Sequence, residues 1–332
     1  MKMNVLSLFD GMSCGQIALN RAGIRYDRYF ASEIDKWAIQ ITQKNYPNTI
    51  QLGDVTKIVA SDLPKIDLVM GGSPCQGFSL AGKGLNFEDP RSRLFFEFVR
   101  LVRELRPTYF LLENVKMKRE WRDIISNELG CEPILFNSSS VSAQNRERLY
   151  WTNIPNVDLI DMNSTILADI TEDADSIKNL PYYIADYDLS ESLCSFFDGK
   201  ELHNGGDIRF LRIGKHTSKN GLICVGGLLK STNKLWLENG KLLQRNFSQG
   251  NRVYSDDGKS VTLNAHSGGI GGKTGLYLID GKIRKLTPIE CERLQTVPDN
   301  YTLGVSEFQR YTMLGNGWTV DVIAHIFRGI GE

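Results

Sequence analysis

Short apolar runs that end at glycine, proline or acidic residues recur through the first half of the chain. The clearest are residues 4–9, 28–32, 66–70 and 109–112, and a weaker one leads to Gly53. Runs of this length, bounded by turn residues, are typical of strands buried on both faces of a parallel sheet. Amphipathic segments separate them, most clearly Leu94–Leu105, which Pro107 ends. The alternation predicts an α/β fold with a doubly wound, mostly parallel sheet.

Polar residues follow three of these predicted strands. The first strand leads into a turn that runs from Asp10 and Gly11 to Gly15, and a helix follows. A strand, a glycine turn and a helix in this order favour a nucleotide-type site, although the spacing does not match GxGxxG. Glu33 ends the second strand, where it could bind ribose hydroxyls or act as an ordinary helix N-terminal carboxylate. Asp54, at the third strand end, could accept a hydrogen bond from the exocyclic amine of an adenine.

The fourth predicted strand ends in two glycines, and then Ser73, Pro74 and Cys75. Ligands of open α/β sheets bind beyond the strand ends, so Cys75 is a candidate nucleophile there. Taken alone, the same cysteine could be a small buried residue in a turn. The polar, glycine-containing stretch 77–93 that follows is predicted to be a lid over the site. The fifth strand is expected to deliver Glu113 and Asn114 at its end.

Later segments predict a closing strand pair and a return to helices. Residues 134–137 and 149–152 form the strand pair, and the i, i+2 spacing of Gln144, Arg146 and Arg148 predicts one shared face. Residues 287–290 have the pattern of a capping box with proline at the first helical position. Residues 315–318 are predicted to form a turn, followed by an amphipathic helix over 319–330.

Charge is unevenly distributed, although the formal net charge is +0. Residues 158–198 carry ten acidic side chains and one basic one, whereas residues 200–285 carry fifteen basic and six acidic side chains. An acidic connector followed by a basic, glycine-rich, strand-like segment favours an inserted β-rich module that meets a polyanion. A solvated β-rich lobe is the alternative. The predicted division is 1–157 for a catalytic domain, 158–282 for the connector and module, and 283–332 for a returning segment.

Composition excludes several other classes of protein. No apolar run is long enough to span a bilayer, and the first residues enter a strand directly, so no signal peptide is expected. The 6 cysteines form no CxxC pair, and the 4 histidines are scattered, so we expect no metal site. These features favour free thiols in a reducing cytoplasm.

Taken in order, the motifs make the chain resemble an S-adenosylmethionine-dependent DNA cytosine-5 methyltransferase. Pro74-Cys75-Gln76 is similar to that family's nucleophile motif, and Glu113-Asn114-Val115 to its catalytic glutamate motif. Gln144-x-Arg146-x-Arg148 is similar to its arginine motif, and Gly315-Asn316-Gly317 to its final motif. The resemblance covers about residues 3–155 and 283–330. It implies a Rossmann-like methyltransferase fold, with the basic module as a target-recognition domain.

The resemblance also implies S-adenosylmethionine as the cofactor and assigns residues to it. In this assignment, Glu33 binds the ribose and Asp54 contacts the adenine. Many members of the family place Trp directly after the ribose glutamate, whereas here that position is Ile34, so aliphatic packing on the adenine is expected. The residues assigned to the cofactor are Phe9, Asp10, Gly11, Gly15, Glu33, Ile34, Asp54, Val55, Ser73, Pro74, Asn316 and Trp318.

The chemistry of cytosine methylation fits the remaining residue types. A thiolate from Cys75 would add to C6 and make C5 nucleophilic. Glu113 would hold or donate a proton at N3, and Arg148, oriented by Arg146, would bind O2 and a flanking phosphate. The base must first be flipped out of the duplex. The residues assigned to DNA or to the lid are Gln76, Phe78, Ser79, Asn114, Gln144, Arg245, Arg252 and Lys273.

Two branches of the family share features with the chain. Residues 8–11, 31–33 and 93–98 are similar to the catalytic domain of animal de novo DNA methyltransferases. Residues 74–79 and 144–148 are similar to bacterial and phage restriction-modification enzymes, which favours a prokaryotic or phage origin. This resemblance implies double-stranded DNA as partner, a monomer, and a cognate restriction endonuclease as a candidate companion.

Three alternatives predict other sequence features. A tRNA cytosine-5 methyltransferase on the same scaffold predicts a short or absent recognition module, and a catalytically silent DNA-binding paralogue predicts loss of Cys75 or Glu113. A dinucleotide oxidoreductase explains the first βαβ unit but not Cys75, Glu113 or Arg148. The DNA methyltransferase interpretation accounts for all of these residues together.

Overall fold

A computed structural model describes most of the chain, including both ends of the predicted catalytic domain and much of the basic module. The described residues are 3–74, 94–161, 163–173, 175–177, 179–184, 191–197, 202–230, 237–238, 241–242, 247–265 and 270–331.

A seven-stranded sheet has the order β3-β2-β1-β4-β5-β7-β6. The neighbouring strands from β3 to β5 are all parallel, and β7 runs antiparallel to both β5 and β6. This arrangement confirms the predicted doubly wound, mostly parallel sheet. The strands are β1 Met3–Leu8, β2 Tyr26–Ser32, β3 Ile50–Gln51, β4 Leu68–Gly72, β5 Tyr109–Val115, β6 Ile134–Asn137 and β7 Glu147–Thr152.

Apolar cores cover both faces of the sheet because successive strand residues point to opposite sides. Val5 and Met70 pack into one core with the helices α1 and α7, whereas Leu6 and Val69 pack into the other with α3 and α4. The helices that follow the strands are α1 Cys14–Arg21, α2 Lys36–Asn45, α3 Leu94–Leu105 and α4 Arg119–Leu129. The bounds of α3 are those predicted from the sequence.

A closed barrel follows the sheet in the chain, with the order β10-β11-β14-β15-β16-β8-β9. Its apolar interior includes Val225, Leu228, Val253 and Ile283, which are all buried. The barrel strands are β8 Tyr182–Ile184, β9 Glu191–Phe197, β10 Leu202–Thr217, β11 Ile223–Lys230, β14 Arg252–Ser255, β15 Leu276–Ile279 and β16 Lys282–Arg284. A separate hairpin pairs β12 Leu237–Glu238 with β13 Lys241–Leu242.

Three helices complete the chain: α5 Pro288–Leu294, α6 Glu307–Asn316 and α7 Val320–Phe327. The capping box is confirmed, because the Thr287 side chain accepts from the Glu290 amide at 3.1 Å and the Glu290 carboxylate accepts from the Thr287 amide at 2.8 Å. Helix α7 packs beside α1, where Arg21 and Asp321 form an ion pair at 2.7 Å. The chain therefore ends against its own first helix.

Three local predictions were wrong in their boundaries. Strand β5 continues through Val115, because β7 pairs with it, so Glu113 and Asn114 lie inside a strand instead of after it. Strand β7 begins at Glu147, two residues before the predicted start, and Gln144 lies outside it and forms an isolated bridge with Ser260. Residues 315 and 316 end helix α6 and do not belong to a free turn.

Over the described part of the chain, no helix has both the length and the apolar character needed to cross a membrane.

Candidate active site

A cavity of about 350 Å³ opens beyond the carboxyl ends of β1, β2 and β4. Its volume lies within the range of small-molecule sites, and its place is the one where doubly wound sheets bind ligands. Most residues that the sequence assigns to the cofactor line it. These are Phe9, Asp10, Gly11, Glu33, Ile34, Asp54, Val55, Pro74, Asn316 and Trp318.

The turn after β1 is held in an unusual backbone conformation. Phe9 and Ser13 both adopt left-handed φ angles, 56° and 66°, which are costly for residues with a side chain. The Glu33 carboxylate helps to fix this turn, because Oε2 accepts from the Gly11 amide at 2.8 Å. Its Oε1 accepts from the amides of Ile34 and Asp35 at 2.7 and 2.8 Å. Glu33 thus joins the first turn to the start of α2 while it lines the cavity.

The Asp10 carboxyl is buried in the wall of the same cavity. The Tyr29 hydroxyl donates to Oδ1 at 2.6 Å, whereas Oδ2 is buried and receives no hydrogen bond from the described residues. Burial raises the pKa of Asp10 to about 6, and the nearby charge of Glu33 adds to the increase. The described residues therefore compensate only part of the negative charge of the ionised Asp10 carboxylate.

Gly15 and Ser73 were also assigned to the cofactor but have other contacts. A Cβ atom at Gly15 would lie 2.3 Å from Met70 Cε and 2.9 Å from the Tyr29 hydroxyl oxygen. The absence of a side chain at Gly15 therefore allows α1 to pack closely on the sheet. The Ser73 hydroxyl accepts from the Asn114 amide at 3.0 Å, so it links β4 to β5.

The rim of the cavity carries Asp54 and Ile34. Asp54 accepts from the Thr56 amide and hydroxyl at 3.0 and 2.9 Å, and the backbone hydrogen bond in particular lowers the pKa of Asp54. Ile34 is 78% exposed, which leaves its side chain available to a ligand. Both positions suit contacts with the outer end of a ligand in the cavity.

Glu113 and Arg148 form an ion pair next to Gly72, which lines the cavity. Arg148 Nε lies 2.9 Å from Glu113 Oε1, and both side chains are mostly buried. A Cβ atom at Gly72 would lie 2.9 Å from both Glu113 Oε2 and Trp318 Nε1. Because Gly72 and Trp318 line the cavity, the carboxyl group and the cavity meet across this glycine. The Glu113 carboxyl therefore lies directly behind the wall of the cavity that Gly72 and Trp318 form.

Asn114 occupies the interior next to the predicted nucleophile segment. Besides the Ser73 hydroxyl, its amide reaches the Ser73 carbonyl at 3.4 Å, and its own oxygen accepts from the Val115 amide at 2.8 Å. Asn114 therefore holds the backbone two residues before Cys75 and is 1% exposed. The predicted residues Cys75, Gln76, Phe78, Ser79 and Arg245 lie outside the described residues.

Arg146 and Gln144 have structural contacts that the sequence did not suggest. The Arg146 guanidinium donates to the carbonyls of Leu263, Gly315 and Gly317 at 3.0 to 3.1 Å. The Gln144 amide is completely buried and bonds to the Leu294 carbonyl and the Leu263 amide. In this structure Gln144 has no surface to offer to DNA, contrary to its predicted place in a DNA contact.

The two predicted module residues lie in different surroundings. Arg252 lines a second cavity, of about 290 Å³, that it shares with Gln249 and Thr262. Lys273 lies over the Phe308 ring at 3.5 Å and donates to the Thr312 hydroxyl, so it contacts helix α6. Arg252 is partly buried, with its Nε enclosed, whereas the Lys273 ammonium has partners on helix α6.

The hydrogen-bonding groups that line the first cavity fit those of S-adenosylmethionine. Three carboxylates, those of Asp10, Glu33 and Asp54, face or flank it, and the Asp10 oxygen without a hydrogen bond is enclosed in its wall. The missing Cβ of Gly72 leaves room next to Glu113. In the described part of the chain, no group of three or more His, Cys, Asp and Glu residues could hold a metal ion.

A family model described as C-5 cytosine-specific DNA methylase matches residues 3–332. The chain belongs to this family. It is 35% identical over 312 residues to the orphan methyltransferase M.Rho11sI of Bacillus phage rho11s, a match that covers 85% of this chain and 61% of the phage protein. It is 29% identical over 351 residues to the type II methyltransferase M.HhaI of Haemophilus parahaemolyticus, covering 99% of this chain and 94% of that protein.

Solved structures of methyltransferases share the fold of this family member. The Entamoeba histolytica methyltransferase EhMeth superposes with a TM-score of 0.65 at 16% identity, with 100% of both chains covered. A DNA modification methyltransferase encoded within an E. coli prophage gives 0.62 at 22% identity, with 99% of this chain and 98% of that chain covered. The likeness extends over the sheet and the barrel together.

Sequence reasoning missed several residues that shape the methylase site. Tyr29 was read only as part of a strand, although its alternation with Ala31 in β2 places it on the face below the first turn. The need for a glycine at position 72 comes from Glu113 and Trp318, which are remote from it in sequence. A local pattern cannot reveal a contact of this kind.

Proposed function

We propose that this methylase transfers a methyl group from S-adenosylmethionine to C5 of a cytosine flipped out of double-stranded DNA. The observation that supports this most strongly is the Glu113–Arg148 pair, at 2.9 Å, which meets the cofactor-sized cavity across Gly72. Family membership gives the reaction class, and this geometry supports the roles proposed for the two residues.

The cofactor would be held by the residues that line the cavity. Glu33 Oε2 keeps one lone pair free for the ribose hydroxyls beyond the three backbone hydrogen bonds of the carboxylate. Asp54 would accept from the adenine amine, and Ile34 would pack on the ring. Once bound, S-adenosylmethionine supplies an electrophilic methyl group on a sulfonium.

Cys75 would add as a thiolate to C6 of the flipped cytosine, which makes C5 nucleophilic. Electron density then moves toward N3 and O2. Glu113 would hold a proton at N3, and the Arg148 guanidinium would stabilise the charge on O2 while it orients the Glu113 carboxyl. After methylation, a water molecule would take the C5 proton, the C5–H electron pair would form the C5=C6 bond as the C6–S bond breaks, and the N3 proton would return to Glu113, which frees Cys75 as a thiolate.

Asn114 and Arg146 would act as positioning residues in this scheme. Asn114 fixes Ser73, just before the nucleophile. Arg146 ties the strand that carries Arg148 to Gly317, the residue before Trp318. Each would keep reacting groups aligned without touching the substrate.

Labelled S-adenosylmethionine, incubated with duplex DNA and in parallel with tRNA, tests the proposal. We expect label in DNA at a fixed short motif, located by bisulfite sequencing, and none with Cys75→Ser. Cys131→Ser is a matched control, since Cys131 is only partly buried and packs against the apolar core beneath α3 and α4. Label in DNA that survives the loss of Cys75 would contradict the mechanism. Label only in tRNA would favour the RNA enzyme, and no transfer would favour a silent binder.

The DNA partner would be contacted by the barrel and the loops around it. Arg252, with Gln249 beside it, is the described candidate for a base contact, because arginine pairs with guanine through two hydrogen bonds. A monomer acting on DNA, with a cognate endonuclease for the same site, fits the kinship with type II enzymes.

A further inference from the structure

Asp10 is a buried carboxyl in the wall of the cofactor cavity, and its position is fixed. Its amide donates to the Ser32 carbonyl at 3.1 Å, and its carbonyl accepts from the Ser13 amide at 3.0 Å. The Tyr29 hydroxyl donates to Oδ1 at 2.6 Å. The hydroxyls of Ser7 and Ser13 lower the pKa of Asp10 but complete no hydrogen bond to Oδ2, which stays buried without one.

The groups that face Asp10 from the neighbouring elements do not neutralise it. Tyr26 and Tyr29 on β2 and Cys14 on α1 are uncharged near neutral pH, because burial raises the pKa of each. Tyr301, whose hydroxyl donates to the Met12 carbonyl at 2.7 Å, is uncharged for the same reason. Among the described residues, the charged group that acts most on Asp10 is Glu33, which has the same sign. A buried anion in these surroundings lacks a counter-charge.

We infer that the Asp10–Tyr29 pair is the counter-charge for a cationic ligand, so that the cavity prefers the positively charged methyl donor to its demethylated product. This inference rests on the proposed function. S-adenosylmethionine carries a sulfonium, an ammonium and a carboxylate, whereas S-adenosylhomocysteine lacks the sulfonium and has no net charge. An anion in a poorly solvated wall distinguishes the two by their charge.

Tyr29 is a positioning residue in this arrangement. Its hydroxyl donates to the Asp10 carboxylate and so favours the ionised form of the carboxyl. Removal of that hydroxyl therefore raises the pH at which Asp10 ionises. Tyr26 provides a matched control on the same strand, because its hydroxyl donates to Gln16 Oε1 at 2.8 Å.

Calorimetric titration with S-adenosylmethionine and with S-adenosylhomocysteine, between pH 5 and pH 7, tests the inference. Because the pKa of Asp10 is about 6 in the free protein, binding of the donor should weaken about tenfold from pH 7 to pH 5. Binding of the product should change much less. In buffers of different ionisation enthalpy at pH 6, the donor should release about half a proton on binding.

Two variants separate the charge effect from loss of structure. Asp10→Asn should abolish the pH dependence, the proton release and the preference for the donor. Tyr29→Phe should move the midpoint of the affinity profile to higher pH, whereas Tyr26→Phe should leave the midpoint in place. A purely structural role of Tyr29 would instead weaken binding equally at every pH. The Tyr29→Phe variant keeps the test valid if Asp10→Asn does not fold.

The outcomes distinguish this inference from the function on which it rests. Binding of the donor with the same pH profile in wild type and Asp10→Asn, or equal pH profiles for donor and product, would overturn the inference alone. Failure of the folded wild-type protein to bind S-adenosylmethionine at pH 7 would overturn the proposed function and this inference with it.

Discussion

Two arginines separated by one residue have different tasks in this methylase. Arg146 is 3% exposed and donates to three backbone carbonyls, whereas Arg148 pairs with the Glu113 carboxylate. The i, i+2 spacing predicted that both lie on one face, and the family resemblance implied that Arg146 orients Arg148. The difference arises because β7 begins between them, at Glu147, and only Arg148 is paired within the sheet.

Replacement of the two arginines should therefore have separable effects. Arg146→Ala should lower the free energy of unfolding by about 3 kcal/mol or more, because it leaves buried carbonyls without donors. Arg148→Ala should cost less stability and lower kcat by about 100-fold or more, since Glu113 loses its partner. Urea unfolding and methyl-transfer kinetics measure the two. Equal losses of stability would contradict the assignment.

The raised pKa of Asp10 leads to a prediction about how the stability of the ligand-free protein depends on pH. Burial raises the pKa of Asp10 from 3.8 to about 6, so its folded form binds a proton more tightly than its unfolded form. The resulting stability is complete below pH 3.8 and is lost as the pH rises through about 6. Relative to wild type, Asp10→Asn should therefore gain about 2 kcal/mol between pH 4.5 and pH 7.5.

Chemical denaturation of both proteins at the two pH values measures this difference. The comparison cancels the titration of the other carboxyls, which both proteins share. A stability difference that stays constant with pH would show that Asp10 has an ordinary pKa.

At the scale of elements, strands and helices with strong local signals were predictable. The capping box of α5 and the apolar stripe of α3 each depend on residues within one element. Strand ends were less predictable, because the antiparallel partner β7 extends β5 through Glu113 and Asn114. Helix α6 was missed because Phe308, one of its large apolar side chains, is 65% exposed and weakens the helical pattern.

The two glycines that end β4 give a contrast at this scale. A Cβ atom at Gly71 would lie 2.8 Å from the Leu8 carbonyl oxygen, which belongs to rigid backbone. At Gly72 the neighbours are the side-chain ends of Glu113 and Trp318, each at 2.9 Å, which can shift. We therefore expect Gly71→Ala to lower stability by about 1–3 kcal/mol, and Gly72→Ala chiefly to lower kcat.

Thermal unfolding and methyl-transfer assays on both variants separate these effects. For Gly72→Ala, the displaced Glu113 should reduce kcat by about tenfold or more while the melting temperature stays near that of wild type. Full activity in Gly72→Ala would mean that Glu113 needs no fixed position relative to the cavity.

At the scale of the whole molecule, buried charged groups join segments that are distant in sequence. The Lys259 ammonium donates to the carbonyls of Ser139, Ser142 and Asn163 at 3.0 to 3.1 Å, which links the barrel strands to the sheet and the connector. Glu290 accepts from the Glu172 amide of the connector at 3.0 Å and pairs with Arg284 at the end of β16. These contacts thus fix the barrel both where the chain enters it and where the chain leaves it. The charge distribution predicted a separate module but gave no indication of these contacts between the module and the rest of the chain.

The Arg284–Glu290 pair allows this connection between the barrel and the rest of the chain to be tested. The two side chains are 1% and 0% exposed, and the Nη1 and Nη2 atoms of the guanidinium donate to the carboxylate at 2.8 and 2.7 Å. Arg284→Met should lower the free energy of unfolding by about 3–5 kcal/mol, because it leaves Glu290 charged and buried without its main partner. Arg103→Met, which breaks the exposed pair with Glu128, is the control and should cost less than about 1 kcal/mol.

Urea unfolding of the two variants shows whether the Arg284–Glu290 pair also makes the barrel and the sheet unfold together. If Arg284 joins them into one cooperative unit, Arg284→Met should unfold in two steps or with a reduced dependence on urea, because the barrel would then unfold separately. Arg103→Met should keep the single transition of the wild type. A single transition with an unchanged urea dependence in Arg284→Met would mean that the remaining contacts, including those of Lys259, suffice for cooperativity.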